Sequence, residues 1–206
     1  MWKKGIPDEV CDQVIEIFED VVQKNPHIVT DRKLYNKSTN MQRDDIAISL
    51  NDSPVVTDKI YPNKKQICNL IYDQIWKCYK QYITEYGQLT HHGHYSSSLK
   101  VQKTMPYGGF HTWHYEQDGP GNSIRELVWT VYLNTMPPNE AETEFLYQAV
   151  KIQPQRGAIC IFPAAMTHVH RGLTVYTQPK YIITGWFLRT DKEPIHVNSK
   201  QLSFNF

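Results

Sequence analysis

Apolar residues recur at two different periods along this chain, and the change of period divides it. Over residues 7–24, Val10, Val14, Ile17, Phe18, Val21 and Val22 fall three and four apart, the spacing that lines one side of a helix. Pro7 and Asp8 give that helix a start, with the Asp8 carboxylate expected to cap it. A longer stripe runs from Asn63 to Tyr86 through Ile67, Leu70, Ile71, Ile75, Cys78, Tyr79, Tyr82 and Ile83, and Gly87 closes it. Stripes of this kind pack on a core, so the second helix is expected to lie against a sheet. Residues 25–62 are polar and lack a sustained period. They read as loops with a turn at Asn51-Asp52-Ser53-Pro54 and one short strand at Ile46 to Leu50.

From Leu99 the pattern shifts to short apolar runs with turn residues between them. Strands are expected at Leu99 to Lys103, Phe110 to Glu116, Glu126 to Asn134, Glu144 to Leu146, Ala158 to Phe162, His168 to Arg171 and Tyr181 to Arg189. Close-set short strands build a sandwich or closed barrel. Helices first and strands afterwards make the fold class α+β, with the two N-terminal helices covering one face of a jelly-roll sheet. No internal repeat or low-complexity tract interrupts the chain.

The 206 residues fit one domain with a real core. A net charge of +1, from 22 basic and 21 acidic residues, gives no reason to invoke nucleic acid or a membrane surface. There is no apolar run of membrane-spanning length and no signal-peptide core, so a soluble cytoplasmic protein is expected. Cys11, Cys68, Cys78 and Cys160 sit within apolar patterns without metal-type spacing, which favours buried thiols.

Candidate chemistry concentrates in Tyr107-Gly-Gly-Phe-His-Thr-Trp-His114-Tyr-Glu116. In a strand, residues two apart share a side, so His114 and Glu116 can grip one metal ion. A third ligand is offered downstream by Phe162-Pro-Ala-Ala-Met-Thr-His168-Val-His170, just after an apolar strand. Two histidines and a carboxylate on one side of a metal form the facial triad of non-haem Fe(II) oxygenases, with positions open for co-substrate and oxygen. Tyr132 lies an even number of residues from Glu126, so its phenol can reach an acid in the barrel mouth. Lys180 and Thr184 share a face of a later apolar strand, where a cation and a hydroxyl can hold a small carboxylate. His91-His92-Gly93-His94 has the look of a metal cluster, but neighbouring histidines in a loop are more often exposed or hydrogen-bonded.

Taken in order, these pieces resemble the 2-oxoglutarate and Fe(II)-dependent oxygenases, and within them the prolyl-4-hydroxylase-like proteins, including small phage-encoded ones. The resembling pieces are the His114-x-Glu116 pair, the Arg125 to Tyr132-Leu-Asn strand, the acidic Glu140-Ala-Glu142-Thr-Glu144 segment, a distal histidine, and Lys180 ten residues after His170. The resemblance implies a double-stranded β-helix with a helical support region over residues 1–98, a catalytic core over 99–190 and a tail over 191–206. It implies Fe(II) held by His114, Glu116 and His170, and Lys180 paired with the 2-oxoglutarate C5 carboxylate, assisted by Tyr132 and Thr184. It further implies hydroxylation of a substrate C–H bond, in a small molecule or a peptidyl proline, coupled to conversion of 2-oxoglutarate and O2 into succinate and CO2, with ascorbate as an aid.

The chain departs from the family pattern in several places. Glu116 stands where most members have aspartate, with Asp118 as the fallback, and Tyr107 stands where a glycine is expected. In an extended strand His168 and His170 share a face, so alternation leaves the distal ligand open, while the ten-residue spacing to Lys180 favours His170. His168 is then a residue that orients a ligand or touches substrate. His111 and Trp113 are expected on the face away from His114, and Trp129, Trp186, Phe145 and Phe162 as packing. The competing class is a cupin-like metal-binding sandwich without catalysis, which has no use for Lys180.

Overall fold

The computed structural model describes residues 1–35 and 41–191; of the expected tail over 191–206, all but Asp191 lies outside them. Helix α1 spans Asp8–Lys24 and buries Val10, Val14, Ile17, Phe18 and Val21; helix α2 spans Lys64–Glu85 and buries Ile67, Ile71, Ile75, Tyr79 and Ile83. These are the residues that helical periodicity picks out. The cap differs from expectation. Pro7 occupies the N-cap position with no side-chain cap, and the Asp8 carboxylate, one residue too far along, lies 3.4 Å from Arg156 instead.

Among the described residues twelve strands follow or flank the helices: β1 (Thr30–Asp31), β2 (Leu34–Tyr35), β3 (Met41–Arg43), β4 (Ile46–Ser49), β5 (Gly93–Thr104), β6 (Phe110–His114), β7 (Arg125–Tyr132), β8 (Thr143–Phe145), β9 (Val150–Ile152), β10 (Ile159–Pro163), β11 (His170–Gly172) and β12 (Lys180–Thr190). They form two six-stranded sheets, β1-β4-β5-β12-β7-β10 and β2-β3-β6-β11-β8-β9, and every pairing is antiparallel. The first, longer sheet carries the helices. Its outer face, with Ile48, Leu99, Val101, Leu127, Trp129, Val131, Ile183 and Phe187, joins α1 and α2 in one buried cluster. Each fully buried large apolar side chain there contributes about 1.5–3 kcal/mol. Its inner face carries Val128, Tyr132, Cys160 and Trp186, which pack with Phe145 and Phe162. All four cysteines are buried free thiols.

Strands β1, β2, β3 and β9 lie outside the expected set. They are two or three residues long, too short to display alternation, and exist because a neighbouring strand offers an edge. Strand β5 starts six residues before Leu99; its Ser-rich opening has no apolar rhythm, and Ser98 takes a left-handed φ of 64° where the register against β12 slips. Gly157, before β10, has φ of 73°, and a Cβ there would stand 2.3 Å from the Ile6 carbonyl, so only glycine lets the N-terminal segment lie against this turn.

Candidate active site

A cavity of about 290 Å³ opens between the sheets, lined among others by His114, Glu116, His170, Lys180 and Thr184. That volume lies near the lower end of the roughly 300–1,000 Å³ typical of ligand pockets. His114 ends β6 and His170 opens β11, directly opposite one another in the antiparallel pair. Glu116 is outside the strand. The expected strand to Glu116 stops at His114, and the chain bends, with the Glu116 and Gln117 amides donating to the Ala164 carbonyl. The bend, not strand alternation, brings the carboxylate round. Its Oε1 lies 3.8 Å from His114 Nε2 and 3.9 Å from His170 Nε2.

Each of these three groups has its other polar atom already engaged. His114 Nδ1 is 2.9 Å from the Thr112 carbonyl, and His170 Nδ1 is 2.9 Å from the His168 carbonyl. A carbonyl only accepts, so both rings carry a proton on Nδ1 and present a bare Nε2 lone pair. Burial, then the neighbouring His170, holds His114 down to about 4, and burial holds His170 below its ordinary value, so both rings are neutral at pH 7. On Glu116, Oε2 accepts from Arg125 Nη1 at 3.2 Å and from Trp186 Nε1 at 3.0 Å, leaving Oε1 toward the histidines. The three inward atoms lie within 4.8 Å of one another. Two neutral imidazoles and one carboxylate, each oriented by an outer partner, fit a divalent iron.

The apolar frame fixes the rings. Phe110 stacks on His114 at 3.8 Å, and Phe162 meets His170 edge-on at 4.8 Å. His168 differs from the strand expectation. It sits in a single 3-10 turn, Met166–His168, its ring against Thr167, and its carbonyl receives the His170 proton. Asp118 lines the cavity but accepts a hydrogen bond from Asn122 at 2.7 Å, outside the converging group.

Lys180 begins β12 and is buried; its ammonium donates to the Ala141 carbonyl at 2.6 Å. Burial pushes it down to about 8, while nearby Glu142 pulls the other way. Thr184, on the same face, accepts from Gln102 Nε2 at 2.7 Å and keeps its own proton for another acceptor. Tyr132 does not line the cavity. Its phenol is 2.8 Å from the Thr143 hydroxyl, which does, and its ring lies 5.7 Å from Lys180 Nζ. Glu126, expected on the Tyr132 face, is absent from the cavity as well. Register against β12 slips between Phe187↔Leu127 and Leu188↔Arg125, so Glu126 stands in a bulge, Arg125 enters the cavity, and Glu126 turns to the histidines of the His91–His94 segment.

The sequence marks Arg125 only as the start of a strand and Trp186 as packing; both turn out to hold Glu116. No local signal marks them, since their partner comes from a bend in another element. Around the mouth stand further cations. Arg43 stacks over Phe110 at 4.0 Å and Arg171 over Trp113 at 4.3 Å. Lys100 lies 4.6 Å over Trp186, pushed down to about 8 by burial and by Arg32.

Residues 99–188 match the model of the 2OG-Fe(II) oxygenase superfamily. This stretch, under half of the chain, carries His114, Glu116, His170, Lys180 and Thr184, and it is similar to oxygenases of the Fe(II)- and 2-oxoglutarate-dependent type. Its fold is similar to that of solved prolyl hydroxylases. A viral collagen prolyl hydroxylase from Paramecium Bursaria Chlorella virus-1, in a 2OG complex, superposes with a TM-score of 0.62 at 18% identity over 92% of this chain and 94% of that one. A prolyl hydroxylase from Trichoplax adhaerens, in complex with a hypoxia inducible factor peptide fragment, gives 0.66 at 15% identity over 91% and 81%. A Pseudomonas putida prolyl-4-hydroxylase gives 0.58 at 12% identity over 92% and 91%. Comparison with the curated proteins gives no match. Among the described residues no helix is long and apolar enough to cross a membrane.

Proposed function

We propose that His114, Glu116 and His170 hold the iron, that Lys180 and Thr184 receive the distal carboxylate of 2-oxoglutarate, and that the enzyme hydroxylates a C–H bond of a peptide substrate, with proline the residue modified. The two sheets are on this reading the halves of a double-stranded β-helix, residues 1–98 its helical support and 99–190 its catalytic core. One observation carries the site assignment: three inward donor atoms, each with its outer partner already bonded, meet in the cavity that also holds a buried lysine. Bound there, Fe(II) supplies the redox chemistry that couples conversion of 2-oxoglutarate and O2 to succinate and CO2 with oxidation of a substrate C–H bond.

The chain's own residues supply position and charge. Lys180 meets a carboxylate in a site largely screened from water, where an unpaired charge is costly, so its ammonium selects a diacid co-substrate. Thr143, backed by the Tyr132 phenol, lies on the same cavity wall, which is how Tyr132 assists at one remove. Arg125 and Trp186 keep the Glu116 carboxylate from rotating. Phe110 and Phe162 exclude water from the rings. None of these groups needs to move a proton to substrate, so the protein's work is geometric. The shared fold with prolyl hydroxylases supports a peptidyl substrate, and Arg43, Arg125 and Arg171 lining the cavity give it hydrogen-bond donors for peptide carbonyls or acidic side chains.

The test is a mass-spectrometric screen of proline-containing peptides and of metabolites for gain of one oxygen atom, with Fe(II), 2-oxoglutarate and ascorbate. Slow succinate formation without substrate is expected, dependent on Fe(II) and suppressed by a non-reactive 2-oxoglutarate mimic. Iron-loaded protein that neither binds 2-oxoglutarate nor forms succinate with any pool leaves the metal-binding sandwich as the account.

A further inference from the structure

We propose that His92, His94 and Glu126 form a second metal site, separate from the active-site cavity, that takes a divalent late-transition cation of the Zn(II) type. His94 lies in β5 and His92 just before it in extended backbone, so residues two apart turn their rings the same way. Glu126 comes from β7, two strands across the sheet, and reaches them because of its bulge. Val128 and Thr130 face the cavity, and regular alternation would have sent Glu126 there too.

The arrangement repeats the logic of the active site with different partners. Glu126 Oε2 is 2.5 Å from both His92 Nε2 and His94 Nε2. The outward atoms have their own neighbours: His94 Nδ1 lies 2.7 Å from the Tyr79 phenol, and Arg189 Nη2 lies 3.5 Å from His92 Nδ1 and 3.7 Å from Glu126 Oε1. Tyr79 is buried in α2 and cannot swing away, so it fixes the His94 ring. The His94 side chain is fully buried, while His92 and Glu126 are about a fifth exposed, which gives an ion a way in and leaves a position for water.

Two imidazole nitrogens and a carboxylate oxygen with one open position suit Zn(II). Ligand atoms around such an ion sit about 3.4 Å apart, so Oε2 must withdraw by about 1 Å, within reach of a partly exposed carboxylate. With the cation bound, both rings carry their proton on Nδ1, and the Tyr79 oxygen accepts it from His94. Arg189, more than half exposed, turns to water instead of His92. The ion then ties β5 to β7 across β12 and, through Tyr79, to α2.

Zn(II) titration followed by calorimetry and metal analysis tests this. In a His114→Ala/His170→Ala protein, one equivalent is expected. Adding His92→Gln weakens it at least about a hundredfold, and adding Tyr79→Phe, which touches no ligand atom, weakens it about 10–100-fold. The wild-type protein gives two equivalents and His92→Gln alone gives one, with iron-dependent succinate formation retained. No Zn(II) bound by the double variant while the wild type binds one equivalent, or binding indifferent to His92→Gln, overturns the second site. Loss of succinate formation in the double variant reads the iron site separately.

Discussion

His114, Glu116 and His170 meet in the cavity between the two sheets, whereas His92, His94 and Glu126 meet on the helix-backed side of one of them. The residue types are the same; the surroundings differ. In the first group two backbone carbonyls and the Arg125–Trp186 pair hold the donors apart, at 3.8 Å and 3.9 Å, because the frame leaves no freedom to close. In the second, side chains do the holding, and the carboxylate has closed onto both rings at 2.5 Å. Donor identity therefore does not separate donors held apart around a cavity from donors in contact with one another. The outer partners and the adjoining cavity do.

The largest effect expected from breaking this contrast is at the proposed iron ligands. His114→Ala or His170→Ala loses iron and succinate formation with the fold intact by circular dichroism, whereas His168→Ala keeps iron, because the backbone carbonyl that orients His170 survives the substitution. Iron retained by His170→Ala and lost from His168→Ala reverses the ligand assignment. Next comes the lysine, which the second cluster lacks. Lys180→Ala leaves the co-substrate carboxylate unpaired at about 2–5 kcal/mol, so 2-oxoglutarate binding weakens at least about tenfold by calorimetry; unchanged affinity removes the role given to Lys180.

A smaller effect is expected from the outer shell. Trp186→Phe takes one donor from Glu116 Oε2 and leaves Arg125, so iron affinity falls by about 10–100-fold, while Zn(II) at the second cluster is untouched. Equal losses at both would mean a general loosening of β12. The mildest test is pH. His114 is held down to about 4 against an ordinary 6.5, so its neutral form is favoured by folding. The unfolded chain takes up the proton first as pH falls, so the contribution of His114 to the stability of iron-free protein is lost between about 6.5 and about 4. Urea midpoints of wild type and His114→Ala should converge toward pH 4; parallel curves would refute the buried neutral ring.

Much of this was legible in the residues. Both helices follow from their apolar stripes, and eight of the twelve strands described from short runs bounded by turn residues, because Ile67 to Ile83 must bury one face of a helix and Val128 to Tyr132 is buried along its whole length. His114, Glu116, His170 and Lys180 stood out by type and order. What failed did so where a local rule met a bend: the Glu116 turn, the 3-10 turn at His168, and the bulge at Glu126. Alternation assumes an unbroken strand, and at these points hydrogen bonds to Ala164, Ala165 and a slipped β12 neighbour outweigh it.

The sequence by itself determined the elements, the split between a helical and a β half, and the set of donors available, since each depends on side-chain chemistry read along a few neighbouring residues. Only the tertiary structure decided which donors face one another. Arg125 rather than Glu126 enters the cavity because one unpaired residue in β7 reverses the facing of those before it, and Trp186 finds Glu116 across a separation of 70 residues. Such contacts come from the register between strands and the packing of two sheets, quantities that no window of sequence carries.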